Sequence, residues 1–320
     1  MRDDLIRYAF RRLLFLPFYL LIVSFMVFYL GRYGPGDPVL IRAGPKASEE
    51  TVEQIRNELG LDKPIHVQYF DYMKGLVKGD LGESIVLYPG KNVKDLVIPR
   101  IMVSAPITLS ALGIAFVVGI AVGLIASFKR NTWIDSSLLG TFLFFSSIPS
   151  LIMVQFMIMF LALKMNLVPA GWTGDWHSVF TTNMIIPVAT ISLVSIAGVA
   201  RFVRATTLAV IGENFVLTAK AKGLPPHIVA VRHVLRNSLL PLVTVLITAV
   251  FTAIEGSLFV ERIYGIPGMG VFMVESVFAR EYDIITSMTV IIAMLSVISY
   301  IVADILYKFI DPRVDLTKRT

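Results

Sequence analysis

The chain has 320 residues, no cysteine, 56% hydrophobic residues and only 16% charged ones, with a net charge of +6 and a mean hydropathy of +0.74. Soluble domains carry about 45–50% apolar and ~25% charged residues, so a water-soluble fold of this size would lack the polar residues to cover its surface. Disorder requires low hydrophobicity and high charge and is excluded by the same figures; an integral membrane protein is what remains.

In chain order, uncharged runs near the ~17–25 residues that cross a ~30 Å hydrocarbon core fall at Leu13–Gly31, Ile101–Phe128, Ser136–Leu163, Asn183–Ala200, Leu239–Ile254 and Ile284–Ala303. The fifth has room to continue past Glu255 to Val260. As helices the second and third would each be roughly 42 Å long, so they must tilt, kink or project from the bilayer. Pro149 marks the expected kink in the third, because it removes a backbone donor. Continuous apolar runs exclude a β-barrel, whose strands alternate. The expected fold is therefore an all-α integral membrane protein with six transmembrane helices. Its organisation is a cytoplasmic N-terminus and first helix (1–31), an extracytoplasmic segment (32–100), a helical core (101–310) containing the loop 201–238, and a tail (311–320).

Lysine and arginine set the orientation. They gather before the first run (Arg2, Arg7, Arg11, Arg12), between the second and third (Lys129, Arg130), between the fourth and fifth (Arg201, Arg204, Lys220, Lys222, Arg232, Arg236) and in the tail (Lys308, Arg313, Lys318, Arg319). Met165–Asn183 contains none. Both termini are therefore expected on the cytoplasmic side, and the first run reads as a retained signal anchor, too long for a cleaved leader. Membrane topology accounts for this basic surplus, and no nucleic-acid partner is implied. In the 32–100 segment, Ser48 suits an N-cap, Val52, Ile55 and Leu59 repeat at helical spacing, and Gly60 suits the helix end. Turn-rich GPGDP and GDLGES bracket that helix, so the segment reads as a small external domain.

The sequence carries no GxxxxGK[ST] phosphate loop and no HExxH. His66, His177, His227 and His233 all lie outside the six runs. No catalytic residue, metal site or cofactor is expected on this chain. The most unusual part is Arg201–Ser238, far longer than the 2–8 residues a helix–helix connection needs. Asn214–Lys222 is helix-compatible and ends at Gly223, and Pro225–Pro226 open a second helix on which Ile228, Val231 and Leu235 recur at i, i+3, i+7. On these residues alone, two readings stand equal: a basic hairpin lying on anionic headgroups, or a docking knob for a cytosolic partner.

At this point the sequence resembles a family. The run TAKAKGLPPHIVAVRHVLRNSLLP is similar to the cytoplasmic coupling segment of ABC-transporter permeases of the dipeptide/oligopeptide/nickel importer group. RRLLFLPFYLLIVSFMVF followed by PGDP, LGLDKPIHVQYFDYMKGLVKGDLGES, FVERIYGIPGMG, the REYD run and DILYKFIDPR resemble that group in order along the chain. The resemblance implies a type I importer permease in the inner membrane of a prokaryote. It would form half of a translocation path for peptides or a related small solute, with a second homologous permease, two cytosolic ABC ATPase subunits and an extracytoplasmic substrate-binding protein as partners, and membrane lipid around it. It further implies ATPase coupling through Ala219, Ala221, Lys222, Gly223, Arg232, His233 and Asn237, with Gly223 making the turn and the two alanines permitting close approach. The Glu-Ala-Ala triplet of many ABC permeases reads Leu217, Thr218 and Ala219 here, so no salt bridge from that glutamate is expected.

Other residues sharpen the expectations. Ala115, Gly119 and Gly123 give a small-residue face for helix packing. Glu255, in an apolar stretch, either faces the path or sits at the outer interface, solvated or paired with Arg262. Gly265, Pro267, Gly268 and Gly270 suggest a rigid re-entry that shapes an outer gate, or simple turn chemistry. Asp304 is expected to pair with a basic neighbour or with solvent rather than to bind substrate, and Trp133, Trp172 and Trp176 to anchor at membrane interfaces. An ion-gradient-driven secondary transporter is the alternative function, with Glu255 as its candidate ligand.

Overall fold

A computed structural model describes residues 2–33, 37–174 and 181–310. Trp176, His177 and the tail 311–320 lie outside the described residues. In chain order the helices are α1 (Arg2–Tyr33), α2 (Pro38–Ala43), α3 (Glu49–Glu58), α4 (Ile65–Val77), α5 (Val93–Phe128), α6 (Trp133–Ser147), α7 (Ser150–Met157), α8 (Ile185–Ile211), α9 (Asn214–Ala221), α10 (Pro226–Ile228), α11 (Arg236–Ser238), α12 (Leu240–Thr252), α13 (Leu258–Tyr264), α14 (Met269–Ala279) and α15 (Tyr282–Ile310).

Among the described residues, four helical stretches are long and apolar enough to cross a membrane: Leu14–Tyr33, Val93–Phe128, Thr182–Ile211 and Tyr282–Leu306. Trp133–Ser147 with Ser150–Lys164, and Pro226–Ser238 with Leu240–Glu255, pass the same test as bent pairs, giving up to six spans. The bend at Pro149 is 99°, a break rather than the expected kink. Ile148 and Pro149 are both extended, and the proline has no N–H with which to continue the ladder. The fifth run does not reach Val260, because Gly256, at φ 71°, ends it after Glu255 and Val260 is buried in the separate helix α13. At the other boundaries the helices outrun their apolar stretches: α5 begins at Val93, and α8 continues past Ala200 to Ile211.

Helices in lipid gain little from apolar burial against one another, so close packing and polar links hold the bundle. The most extensive pairing is α5 against α8. The small-residue face lies inside it: a Cβ on Gly119 would come within 2.7 Å of Val199 Cβ, and one on Gly123 within 2.6 Å of the Ala200 carbonyl oxygen. α1 packs on α15 and is pinned near both ends, by Arg12 to Asp304 at 3.1 Å and by Arg32 to Asp283 at 3.2 Å. Asp304 thus pairs with a basic neighbour, as its position suggested.

The segment between α1 and α5 is layered on the membrane helices. Ser48 caps α3 through a bond from the Thr51 N–H, and Gly60 follows its end at φ 64°, yet α3 buries no residue. Its anchors are elsewhere. Tyr69 of α4 packs edge-on against Phe25 and Phe28 of α1 and hydrogen-bonds Ser24 at 2.9 Å. Tyr72 bonds Ser287 of α15 at 3.3 Å, and burial pushes its phenol up to about 12, so it stays protonated at physiological pH. Leu81, Leu87 and Tyr88 pack on a core of Val93, Val97, Phe272 and Met288.

Candidate functional site

The hairpin after α8 is built from its own small core. Helix α9 closes with two bonds, Gly223 N–H to the Lys220 carbonyl at 2.9 Å and Leu224 N–H to the Ala219 carbonyl at 3.3 Å. This is the Schellman pattern, which places the residue after the cap in the left-handed region. Gly223 has φ 75° there, and a Cβ on it would meet nothing within 4 Å, so the demand for glycine comes from the backbone alone. Pro226 then occupies the first turn of α10, where its missing N–H costs nothing.

From Val229 to Leu235 the chain forms a π-helix rather than the expected α-helix. Its i→i+5 bonding brings residues five apart onto one side, so Val229 and Val234 are buried while Val231 is 63% exposed. Together with Val216 and Ala219 they form the core, backed by Val210 and Ile211 at the end of α8. Ala219, 4% exposed, packs inside the hairpin rather than on its surface. Ala221, Lys222 and Gly223 form the exposed tip. Arg232 and Asn237 are exposed and His233 half-buried, on and just after the π-turn. The Asn237 amide donates to the His233 carbonyl at 2.7 Å and so braces this turn.

Two elements root the hairpin. Its second arm continues through α11 into α12 with a bend of 49°. Arg204, on α8 two turns before the hairpin, makes a two-point bond to Asp135 at the start of α6, 2.8 and 2.7 Å. Asp135 is 5% exposed and also accepts from the Asn131 N–H. Asp135 is buried but Arg204 is only half-buried, so losing one partner costs about the 1.5–3 kcal/mol of hydrogen bonds to a charged group. Asp135→Ala is thus expected to lower the thermal stability of the purified protein by that amount, and Arg204→Ala to match it. The double variant should fall well short of the sum; additive losses would show that the two do not act as a pair.

At the other end of α12, Glu255 closes a 3-10 turn with its side chain exposed. It does not pair with Arg262, which bonds Glu275 at 2.9 Å. Gly265 ends α13 in the left-handed region at φ 74°, and Gly268 precedes α14. Gly265, Pro267 and Gly268 line a cavity of about 280 Å³ with Arg100 and Glu275.

The organising group of this turn is Glu261, 4% exposed. It accepts bonds from Ser104 Oγ of α5 at 2.7 Å, from the Val271 N–H at 3.0 Å and from the Ser257 N–H at 3.2 Å. Side chains on Gly256 or Gly268 would collide with its carboxyl group, and one on Gly270 would come within 3.1 Å of it. The glycines of the run are thus a cage around a carboxylate. Burial pushes the Glu261 carboxyl up, and the donated bonds pull it back. A second buried acid, Glu281, is 0% exposed and gathers the loop after α4: it accepts from Ser84 Oγ at 2.6 Å, from the Ile85 N–H at 2.9 Å, from the Val86 N–H at 2.8 Å, and from the Leu87 N–H. Trp172 packs beside the Tyr264 core, and its backbone N–H donates to the Tyr264 carbonyl at 2.7 Å. Trp133 is 76% exposed.

Fold and site together define a multi-pass helical membrane protein with a self-packed hairpin projecting from one end of its bundle. Family models agree on what kind. Residues 119–316 match the binding-protein-dependent transport system inner membrane component, and residues 5–111 match the N-terminal part of such membrane components. The chain belongs to that family of transport-system inner membrane components. It is 33% identical to the oligopeptide transport system permease protein of Haemophilus influenzae over 97% of this chain and 99% of the relative. The dipeptide transport system permease protein of Bacillus subtilis is 32% identical, over 98% and 99%. The glutathione transport system permease protein of Shigella flexneri is 32% identical, over 97% and 99%. The resemblance read from the motifs is therefore shown, at the level of an ABC importer permease.

Proposed function

We propose that the chain forms half of the translocation path of an ATP-driven importer of peptides or peptide-like solutes, and that the hairpin is where a cytosolic ATPase drives it. A second, homologous permease completes the path, two ATPases lie beneath and a binding protein delivers cargo to the opposite face. Three relatives of near-equal length carry oligopeptide, dipeptide and glutathione in their names, which supports a peptide-class cargo. The basic residues of the hairpin and of Lys129–Arg130 support a cytoplasmic position for this end by the positive-inside rule, with both termini on the same side.

The observation that carries the coupling role is mechanical. The hairpin holds itself rigid through Val216, Ala219, Val229 and Val234, and both arms run directly into apolar helices, α8 and α12. A push on the Ala221–Gly223 tip therefore moves those helices as a body, the kind of rigid displacement that nucleotide-driven closure supplies. Glu255 and the Gly265–Gly268 turn, at the far end of α12, stand where such a movement would open or shut the outer mouth.

The chain contains no cysteine, so a single Cys at Ala221 or Lys222 reports one site. It is expected to crosslink to a Cys in the partner ATPase of the assembled complex, with a yield that changes with nucleotide. An assembled complex that gives no crosslink from either position would refute the coupling role. Uptake by this chain alone, driven by an ion gradient in vesicles, would instead make it a secondary transporter and Glu255 its first candidate ligand.

A further inference from the structure

The hairpin does not lie flush on the helices that bear it. Between the hairpin and the ends of α5 and α8 is an apolar groove of about 890 Å³, within the ~300–1,000 Å³ of small-molecule sites. Phe128, Leu208 and Ile211 form its helix side, and Val229 and Ala230 its hairpin side. The polar groups along it include Arg130, Lys220 and His227, and no acidic residue lines it among the described residues. Neither Arg130 nor Lys220 makes an ion pair with a described residue. Beside the groove, Phe128, Lys129, Arg130 and Trp133 are all exposed at the α5–α6 turn, the mixture of aromatic and basic residues found at headgroup depth.

We infer that this groove is a binding site for one anionic phospholipid, its acyl chain along the apolar walls and its phosphate on Arg130 and Lys220. The charge pattern selects this occupant. An apolar protein segment would fill the walls and leave the two cations without an acidic partner in the groove. A soluble acidic peptide would answer the cations and leave the walls wet. A zwitterionic lipid would bring its own cation to a rim that already carries two. An anionic amphiphile satisfies both halves. Because one wall belongs to the hairpin and the other to α5 and α8, such a lipid braces the hairpin against the bundle, whatever protein binds the tip.

The test is native mass spectrometry of the purified, fully assembled transporter complex titrated with palmitoyl-oleoyl phosphatidylglycerol or the matching phosphatidylcholine. Phosphatidylglycerol is expected to bind at least tenfold more tightly. Each cation near a membrane surface contributes about fivefold, so the double variant Arg130→Gln, Lys220→Gln should weaken its binding ~25-fold, with little change for phosphatidylcholine. Ala230→Trp fills the groove without altering charge and should release the same lipid. Equal affinity for the two lipids, or unchanged phosphatidylglycerol binding in both variants, would overturn the inference. So would a Cys at Ala230 that crosslinks quantitatively to another subunit of the complex, since the groove would then hold protein. Loss of the Ala221 crosslink bears on the coupling role alone and leaves these measurements standing.

Discussion

Replacing Glu261 by Ala is expected to remove a large share of the protein's thermal stability, roughly 3–9 kcal/mol. The carboxylate is the acceptor for three groups from three places, Ser104 on α5, Ser257 before α13 and Val271 in α14. A buried donor left without a partner costs about 1–3 kcal/mol. Three of them cost roughly 3–9 kcal/mol, against a typical total stability of about 5–15 kcal/mol. The space left behind is narrow, since it is walled by the backbone of Gly256, Gly268 and Gly270, and a replacement water would have to satisfy all three donors at once. Ser104→Ala is the milder member of the pair. It removes one donor to Glu261 and the acceptor of the Met269 N–H, for about 1–3 kcal/mol. Thermal unfolding of the purified protein separates the two cases. A loss under ~1 kcal/mol for Glu261→Ala would mean that water enters the cage, and the carboxylate would then be dispensable to the turn.

The same logic distinguishes the ends of the molecule. At the end bearing the Gly265–Gly268 turn, buried carboxylates do the tying: Glu261 holds the turn to α5, and Glu281 holds the loop after α4 to the start of α15. At the hairpin end the ties are an Asp135–Arg204 pair and a core of four small aliphatic residues. If α12 transmits movement between the ends, the cage around Glu261 sets how far this turn can yield, because its bonds lock α13 and α14 to α5.

Six apolar runs were legible because span length and charge are local properties of a sequence. Gly223 was legible for a related reason: a glycine two residues before a proline pair announces a helix end and a new start. The interior of the hairpin was not, because the 3.6-residue period used to choose Ile228, Val231 and Leu235 does not describe a π-turn, in which Val229 and Val234 face inward. Glu261 and Glu281 escaped for a different reason. Most of their partners are backbone N–H groups, which carry no residue-type signal, and Glu281 bonds a loop almost 200 positions earlier in the chain. The available hint lay in FVERIYGIPGMG itself, where an acid sits among glycines that the turn alone does not require. Arg204 read as one more cytoplasmic cation until its partner, 69 residues earlier, came into view.

Gly123→Leu is expected to be as damaging as loss of Glu261, by the opposite physical route. In α5, Gly119 and Gly123 face α8 one turn apart, and the contact at Gly123 is with backbone: an added Cβ would stand 2.6 Å from the Ala200 carbonyl oxygen and 2.8 Å from Val203 Cβ. A side chain can rotate away, whereas a helix backbone cannot, so α5 and α8 must separate along the whole seam. Overpacking of this kind costs about 1–3 kcal/mol for a small group, which is the expectation for Gly123→Ala, and Leu adds three more carbons to the same point. Separation would also withdraw the Val199 and Val203 contacts that close the seam, and in lipid no hydrophobic force pulls the helices back together. Gly113 lies on the same helix with nothing within 4 Å of its Cβ position. Gly113→Ala should therefore stabilise α5 by up to about 1 kcal/mol through helix propensity. Measured side by side by thermal unfolding, the two alanine variants should move in opposite directions. If both destabilise alike, α5 is sensitive to side-chain volume everywhere, and the close α5–α8 seam is not what holds the bundle.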